Sequence, residues 1–83
     1  MFNISYSNQA LKFLKNCDKI LAKRIVDKIE ELGVDPFPHD MKRMEGNHLF
    51  RVRVGKIRIL YEVDHANNLL GVIKIDKRDK VYD

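Results

Sequence analysis

The run FRVRVGKIRIL, residues 50–60, alternates apolar and basic side chains on both sides of a glycine. Two strands joined at Gly55-Lys56 by a two-residue II′ turn fit it, since glycine takes the positive φ of the first turn position without strain. That turn pairs Val54 with Ile57, Arg53 with Arg58, Val52 with Ile59 and Arg51 with Leu60. Side chains alternate between the faces of a sheet at period two. Phe50, Val52, Val54, Ile57, Ile59, Tyr61 and Val63 therefore share one face, and Arg51, Arg53, Arg58, Leu60 and Glu62 share the other. A slip of one residue would bury the arginines, so the apolar set fixes the register. Arg53 and Arg58 are then directly opposite, an arrangement that destabilises a strand pair.

Outward from the hairpin, the segment FNISYS (2–7) alternates as a short strand with Phe2, Ile4 and Tyr6 on one side. Ser7 can cap a helix through about Lys15, with Ala10, Leu11, Phe13 and Leu14 as its apolar stripe. Asn16-Cys17-Asp18 interrupts it, and Asp18 can cap a second helix reaching Leu32. There Ile20, Leu21, Ile25, Ile29 and Leu32 recur at helical spacing, with charged residues opposite and Gly33 at the favoured C′ position. Residues 33–48 form a connector whose Pro36 and Pro38 forbid regular helix or central strand. The runs 48–54, 57–63 and 69–75 read as strands, with DHANN (64–68) as the second connection. The order β-α-α-β-β-β predicts an α+β fold. A two-helix hairpin would pack on one face of a mostly antiparallel four-stranded sheet, as a single domain spanning residues 1–83.

Composition narrows the functional classes. Of the 83 residues 45% are hydrophobic, which favours a folded core over a disordered tail. The single cysteine, Cys17, can close no internal disulfide and has no thiol partner for a zinc site, as suits a reducing compartment. No stretch approaches the length of a membrane span, and the opening MFNISYSN is neither a charged leader nor an apolar one, so a cytoplasmic protein is expected. His39, His48 and His65 lack the spacing of metal ligands, and neither a Gly-rich phosphate loop nor a Ser-His-Asp order occurs; no metal or cofactor is expected. The net charge of +4 divides unevenly: residues 1–48 carry eight Lys/Arg against seven Asp/Glu, and residues 49–83 carry eight against five. The excess lies with the hairpin, and a localised basic excess points to a polyanion.

An exposed sheet face needs polar residues, and arginines serve. A merely solvated face usually mixes signs, however, and Glu62 is the one acid within 50–63. Guanidiniums match phosphate geometry through forked contacts, so the cluster is better explained as a phosphate site. The segment DKRDKVYD (76–83) adds Lys77, Arg78, Lys80 and Tyr82. By strand parity Arg78 goes with Val72, Lys74 and Asp76, and it joins the open face if the strand continues. A tyrosine beside basic residues can stack on a base or donate to a phosphate.

The run LFRVRVGKIRILYEV (49–63), preceded by MKRMEG (41–46) and followed by IKIDKRDKVYD (73–83), resembles the RelE/ParE superfamily of toxins, and KRDKVY is closer to the RelE branch. The resemblance covers nearly the whole chain. It implies a type II toxin that enters the ribosomal A site and cuts mRNA there without metal, by attack of a ribose 2′-OH on the adjacent phosphate. It places Arg58 and Arg78 on catalytic arginine positions and Tyr82 on the terminal tyrosine that orients the substrate nucleotide. Arg51 and Arg53 fall on a pair that is lysine in the best-known RelE toxins; as arginines they can neutralise phosphate but exchange no proton near neutrality. Lys74, Lys77 and Lys80 complete the RNA-binding set with Arg51, Arg53, Arg58 and Arg78. The implied partners are a RelB-like antitoxin, in a complex open to higher-order assembly, and the ribosome with mRNA; no membrane is implied. Two other actions fit the sequence: a ParE-like gyrase poison, and a non-catalytic RNA- or ribosome-binding module.

Overall fold

The computed structural model describes residues 1–77. Among them run β1 (Asn3–Tyr6), α1 (Asn8–Asn16), α2 (Lys19–Val34), β2 (Lys42–Arg43), β3 (Phe50–Val54), β4 (Ile57–Asp64) and β5 (Leu69–Lys77). The described strands form one sheet in the order β1-β5-β4-β3-β2. β1 runs parallel to β5 and every other neighbouring pair is antiparallel. The helices cover one face. Ala10 of α1 and Ile25, Ile29 and Leu32 of α2 meet Val52, Val54, Ile57, Ile59, Tyr61, Leu70, Val72 and Ile75 of the sheet in one apolar core.

The hairpin has the expected register, Val54↔Ile57 through Arg51↔Leu60. Gly55 takes φ +60° while Lys56 stays out of the left-handed region, which is the II′ pattern. Both helix caps form as the sequence predicts: the Ala10 amide donates to Ser7 Oγ at 3.1 Å and the Leu21 amide to Asp18 Oδ2 at 3.1 Å. Ser7 and Gln9 also bind α1 to the edge of β5 that β1 leaves uncovered. Ser7 Oγ donates to the Ile73 carbonyl at 2.7 Å. The Gln9 amide group donates to the Ile75 carbonyl at 2.7 Å and accepts from the Ile75 amide at 2.9 Å, so it acts as a further rung of the ladder.

Several expectations are corrected. The sheet has five strands rather than four, because Lys42 and Arg43, past the prolines, pair with Arg51 and Phe50. A two-residue strand has no periodicity for a sequence reading to detect. Gly33 does not end the second helix, which continues to Val34. The glycine serves close packing instead: a Cβ there would lie 3.2 Å from Ile4 Cδ1, and its carbonyl accepts from the Phe2 amide at 2.8 Å. Leu11 and Ile20, placed with the apolar stripes, are 51% and 73% exposed, since each helix buries only the side that meets the sheet.

The parity of the last strand also changes. Leu60 pairs with Lys74 but Tyr61 pairs with Val72, so Ile73 is an extra residue bulged from β5. Leu70 and Val72 before the bulge and Ile75 after it are buried in the core. Lys74 and Asp76 are thereby turned to the face away from the helices, and Val72 does not share that face with them.

The connector 35–41 is tied to the rest of the fold by Tyr61, Met41 and a set of ring contacts. Tyr61 donates its hydroxyl to the Pro36 carbonyl at 2.6 Å, and burial raises its pKa, which keeps it a donor. Met41 packs against the core, and His65 stands between Phe2 and Phe37, with ring centroids at 5.6 and 5.9 Å.

Candidate nucleic-acid interface

The face of the sheet away from the helices carries its charge in two rows that cross the strands. Strand pairing aligns Arg53, Arg58 and Asp76 in one row and Lys42, Arg51, Leu60 and Lys74 in the next. Side chains directly opposite on neighbouring strands lie about 4.5–5.5 Å apart at Cβ. Three arginines and two lysines thus stand within one small patch, around a Leu60 that is only 7% exposed. Arg51, Arg53, Arg58 and Lys74 come together as the sequence predicts. Lys42 enters through β2 and was invisible to a reading that made the connector irregular.

Arg58 is paired with a carboxylate of the protein itself, a partner the sequence reading did not assign to it. Its Nε donates to Asp76 Oδ1 at 3.0 Å and its Nη2 to Asp76 Oδ2 at 2.8 Å, a forked contact in which both side chains are about four-fifths buried. Lys74 Nζ lies 3.8 Å from the same carboxylate. The missed residue was Asp76. Parity already sets it with Lys74 on the open face; its pairing with Arg58 follows from the β4–β5 register, which depends on the bulge at Ile73. Glu62, also on this face, lies against Gly71, where its Cγ would touch an added Cβ at 3.4 Å.

Lys77 is placed apart from this patch. It follows Ile75 in parity and lines an apolar groove of about 470 Å³ on the helix side with Phe13, Cys17, Leu21 and Ile57. Arg78, Lys80 and Tyr82, singled out above, lie outside the described residues. Among the described residues no group of three or more His, Cys, Asp or Glu could hold a metal ion, and no helix is long and apolar enough to cross a membrane.

Among the described residues this face sets guanidiniums at strand spacing, a chemistry suited to phosphate oxygens, and a carboxylate holds one of them. A family model described as the ParE toxin of type II toxin–antitoxin systems matches residues 4–82. The chain belongs to the RelE/ParE superfamily of toxins. A Methanocaldococcus jannaschii protein named as a candidate toxin, RelE1, is 33% identical over 85 residues, covering 98% of this chain and 94% of its own. Two solved structures share the fold. The archaeal RelE–RelB complex from Pyrococcus horikoshii superposes with a TM-score of 0.85 at 23% identity, covering 96% of this toxin and 98% of that chain. The isolated Escherichia coli RelE toxin gives 0.85 at 15% identity, covering 98% and 88%. This toxin therefore has the RelE fold, with two helices on a five-stranded sheet.

Proposed function

We propose that this toxin is a ribosome-dependent endoribonuclease of the RelE branch that cuts mRNA in the A site. The observation that carries the reading is the pair of cationic rows on the sheet face that the helices leave open. In the reaction a ribose 2′-oxygen attacks the adjacent phosphorus, its proton leaves, and the P–O5′ bond breaks as the 5′-oxygen takes up a proton. The products are a 2′,3′-cyclic phosphate and a 5′-OH. Negative charge builds on the non-bridging oxygens of the pentacoordinate transition state, and fixed cations stabilise it. Arg58, held on β4, is assigned to the scissile phosphate, together with Arg78 by resemblance. Arg51 and Arg53 hold the flanking phosphates, with Lys74 and Lys80 as further backbone contacts, and Tyr82 orients the nucleotide. With arginine at 51 and 53, proton transfer falls to Tyr82 or to groups of the ribosome and RNA. Its resting partner is an acidic and apolar antitoxin chain of the RelB kind.

The test is to incubate the purified toxin with ribosomes programmed with a defined mRNA and to map the new RNA ends. Cyclic-phosphate ends inside the A-site codon are expected. Arg58→Ala should reduce the rate about a hundred- to thousandfold, since one lost transition-state donor is worth about 2.7–4 kcal/mol. Full activity of this variant would remove Arg58 from the reaction. The match to a ParE family model favours a second reading, gyrase poisoning. Pulse labelling separates the two: a ribonuclease stops protein synthesis first, a gyrase poison DNA synthesis. RNA binding without new ends would identify a passive module.

A further inference from the structure

We propose that Asp76 is a positioning residue for the cleavage reaction, holding the Arg58 guanidinium where the scissile phosphate will meet it. The inference rests on the endoribonuclease reading above and assigns it a residue outside the cationic set. Three observations support it. The carboxylate grips Arg58 through both oxygens, at 3.0 Å to Nε and 2.8 Å to Nη2, a geometry that fixes the plane as well as the place of the guanidinium. The pair is largely shielded, with 19% and 24% of the two side chains exposed, so the contact is screened little by solvent. The bulge at Ile73 is what turns Asp76 toward Arg58: strict alternation from the buried Val72 would have sent residue 76 into the core. Bulges recur next to active sites because they re-aim one side chain in this way.

Arg58 stands in line between Arg53 and Asp76, and the carboxylate holds it from one side. Without the carboxylate, the guanidinium loses the forked contact that fixes its plane. A guanidinium has five N–H donors, so a forked contact with one carboxylate does not exhaust it. Asp76 also subtracts a charge from the patch, which weakens the pull on RNA before reaction. Removing it should therefore leave binding the same or tighter and make turnover slower, a division that loss of folded protein cannot imitate.

The experiment measures single-turnover mRNA cleavage on programmed ribosomes against toxin concentration for the wild type and for Asp76→Ala, Asp76→Asn and Asp76→Glu. For Asp76→Ala the maximal rate should fall about ten- to a hundredfold, the scale of a misplacement of about 1 Å. The half-saturating concentration should stay level or drop. Asp76→Glu, which can pair again, should recover most of the rate, and Asp76→Asn, which keeps an acceptor without the charge, should fall between. Wild-type maximal rate in Asp76→Ala overturns the proposal, as does equal activity of Asp76→Asn and Asp76→Glu if the alanine variant fails to fold. A second readout needs no cleavage: the Arg58 Nε–H resonance of the free toxin should exchange slowly with water in the wild type and at least tenfold faster in Asp76→Asn. If the wild-type toxin yields no cyclic-phosphate ends, the ribonuclease reading falls, and this exchange rate alone decides whether Asp76 immobilises Arg58. If it cuts and the substitutions change neither rate nor exchange, the ribonuclease reading stands and the positioning role falls.

Discussion

The two faces of this sheet are built from the same strands with opposite priorities. On the helix side, Val52, Ile59, Tyr61, Leu70, Val72 and Ile75 are at most 1% exposed, and the register pairs Val52 with Ile59 and Ile59 with Ile75. On the far side the same register sets Arg53 against Arg58 and Lys42 against Arg51, combinations that lower the stability of a strand pair. Burial on one face fixes the pairing, and the other face must accept whatever neighbours that pairing creates. The apolar side thus supplies the free energy that lets the far side carry opposed cations. Substitutions on the two faces should accordingly fail in different assays.

Ile59→Ala should have the largest effect on folding. Ile59 is fully buried beneath both helices, and truncating such a side chain costs about 2–5 kcal/mol. Urea denaturation should show the midpoint falling while the folded fraction keeps its activity per molecule. An unchanged midpoint would mean that the helices do not press on the centre of the sheet. Tyr61→Phe comes next. It keeps the ring in the core but leaves the Pro36 carbonyl without the buried hydroxyl that now meets it at 2.6 Å. The expected loss is about 1–3 kcal/mol, together with faster amide exchange in residues 35–41. Arg53→Ala is the counterpart on the open face. Its effect belongs to RNA binding, where the log–log salt slope for a single strand should shrink by about 0.7 if one phosphate contact is lost.

How far the sequence could be read follows the same division. The hairpin register, both helix caps and the helix-facing strand residues follow from local rules of alternation, glycine at a turn, and Ser or Asp before an apolar run. The cationic patch on β3 and β4 was legible for the same reason. What escaped depended on contacts between distant segments. β2 is too short to carry a period. Gly33 continues a helix because Ile4, nearly thirty residues earlier, needs the space. The bulge at Ile73 breaks the parity of β5, so Val72 stands on the core face while Lys74 and Asp76 stand on the other. The same blindness hid the Gln9 rung on Ile75, a contact spanning 66 residues. The arginines and the face of Asp76 could be read, and the ion pair between Asp76 and Arg58 could not.

The smallest expected effect tests how the connector is attached to α2. Lys28 of α2 donates to Asp40 Oδ2 at 2.9 Å, and this contact holds the Asp40 carboxyl below the usual carboxylate range. Unfolding releases it to an ordinary value of about 3.9, so the unfolded chain takes up its proton first as pH falls. The contribution is therefore complete above that ordinary value and is lost as pH drops through it to the lower folded one. Half of the Asp40 side chain is exposed, so solvent and salt screen the pair and its worth is about 0.2–1 kcal/mol. Asp40→Asn should lower stability by that amount at pH 7 in low salt and by less in 1 M salt. At pH 2.5 the difference from wild type should narrow. A gap that instead widened in acid would show that the carboxylate is not the form the fold prefers, and that Tyr61, Met41 and the Phe37 ring contacts hold the connector without it.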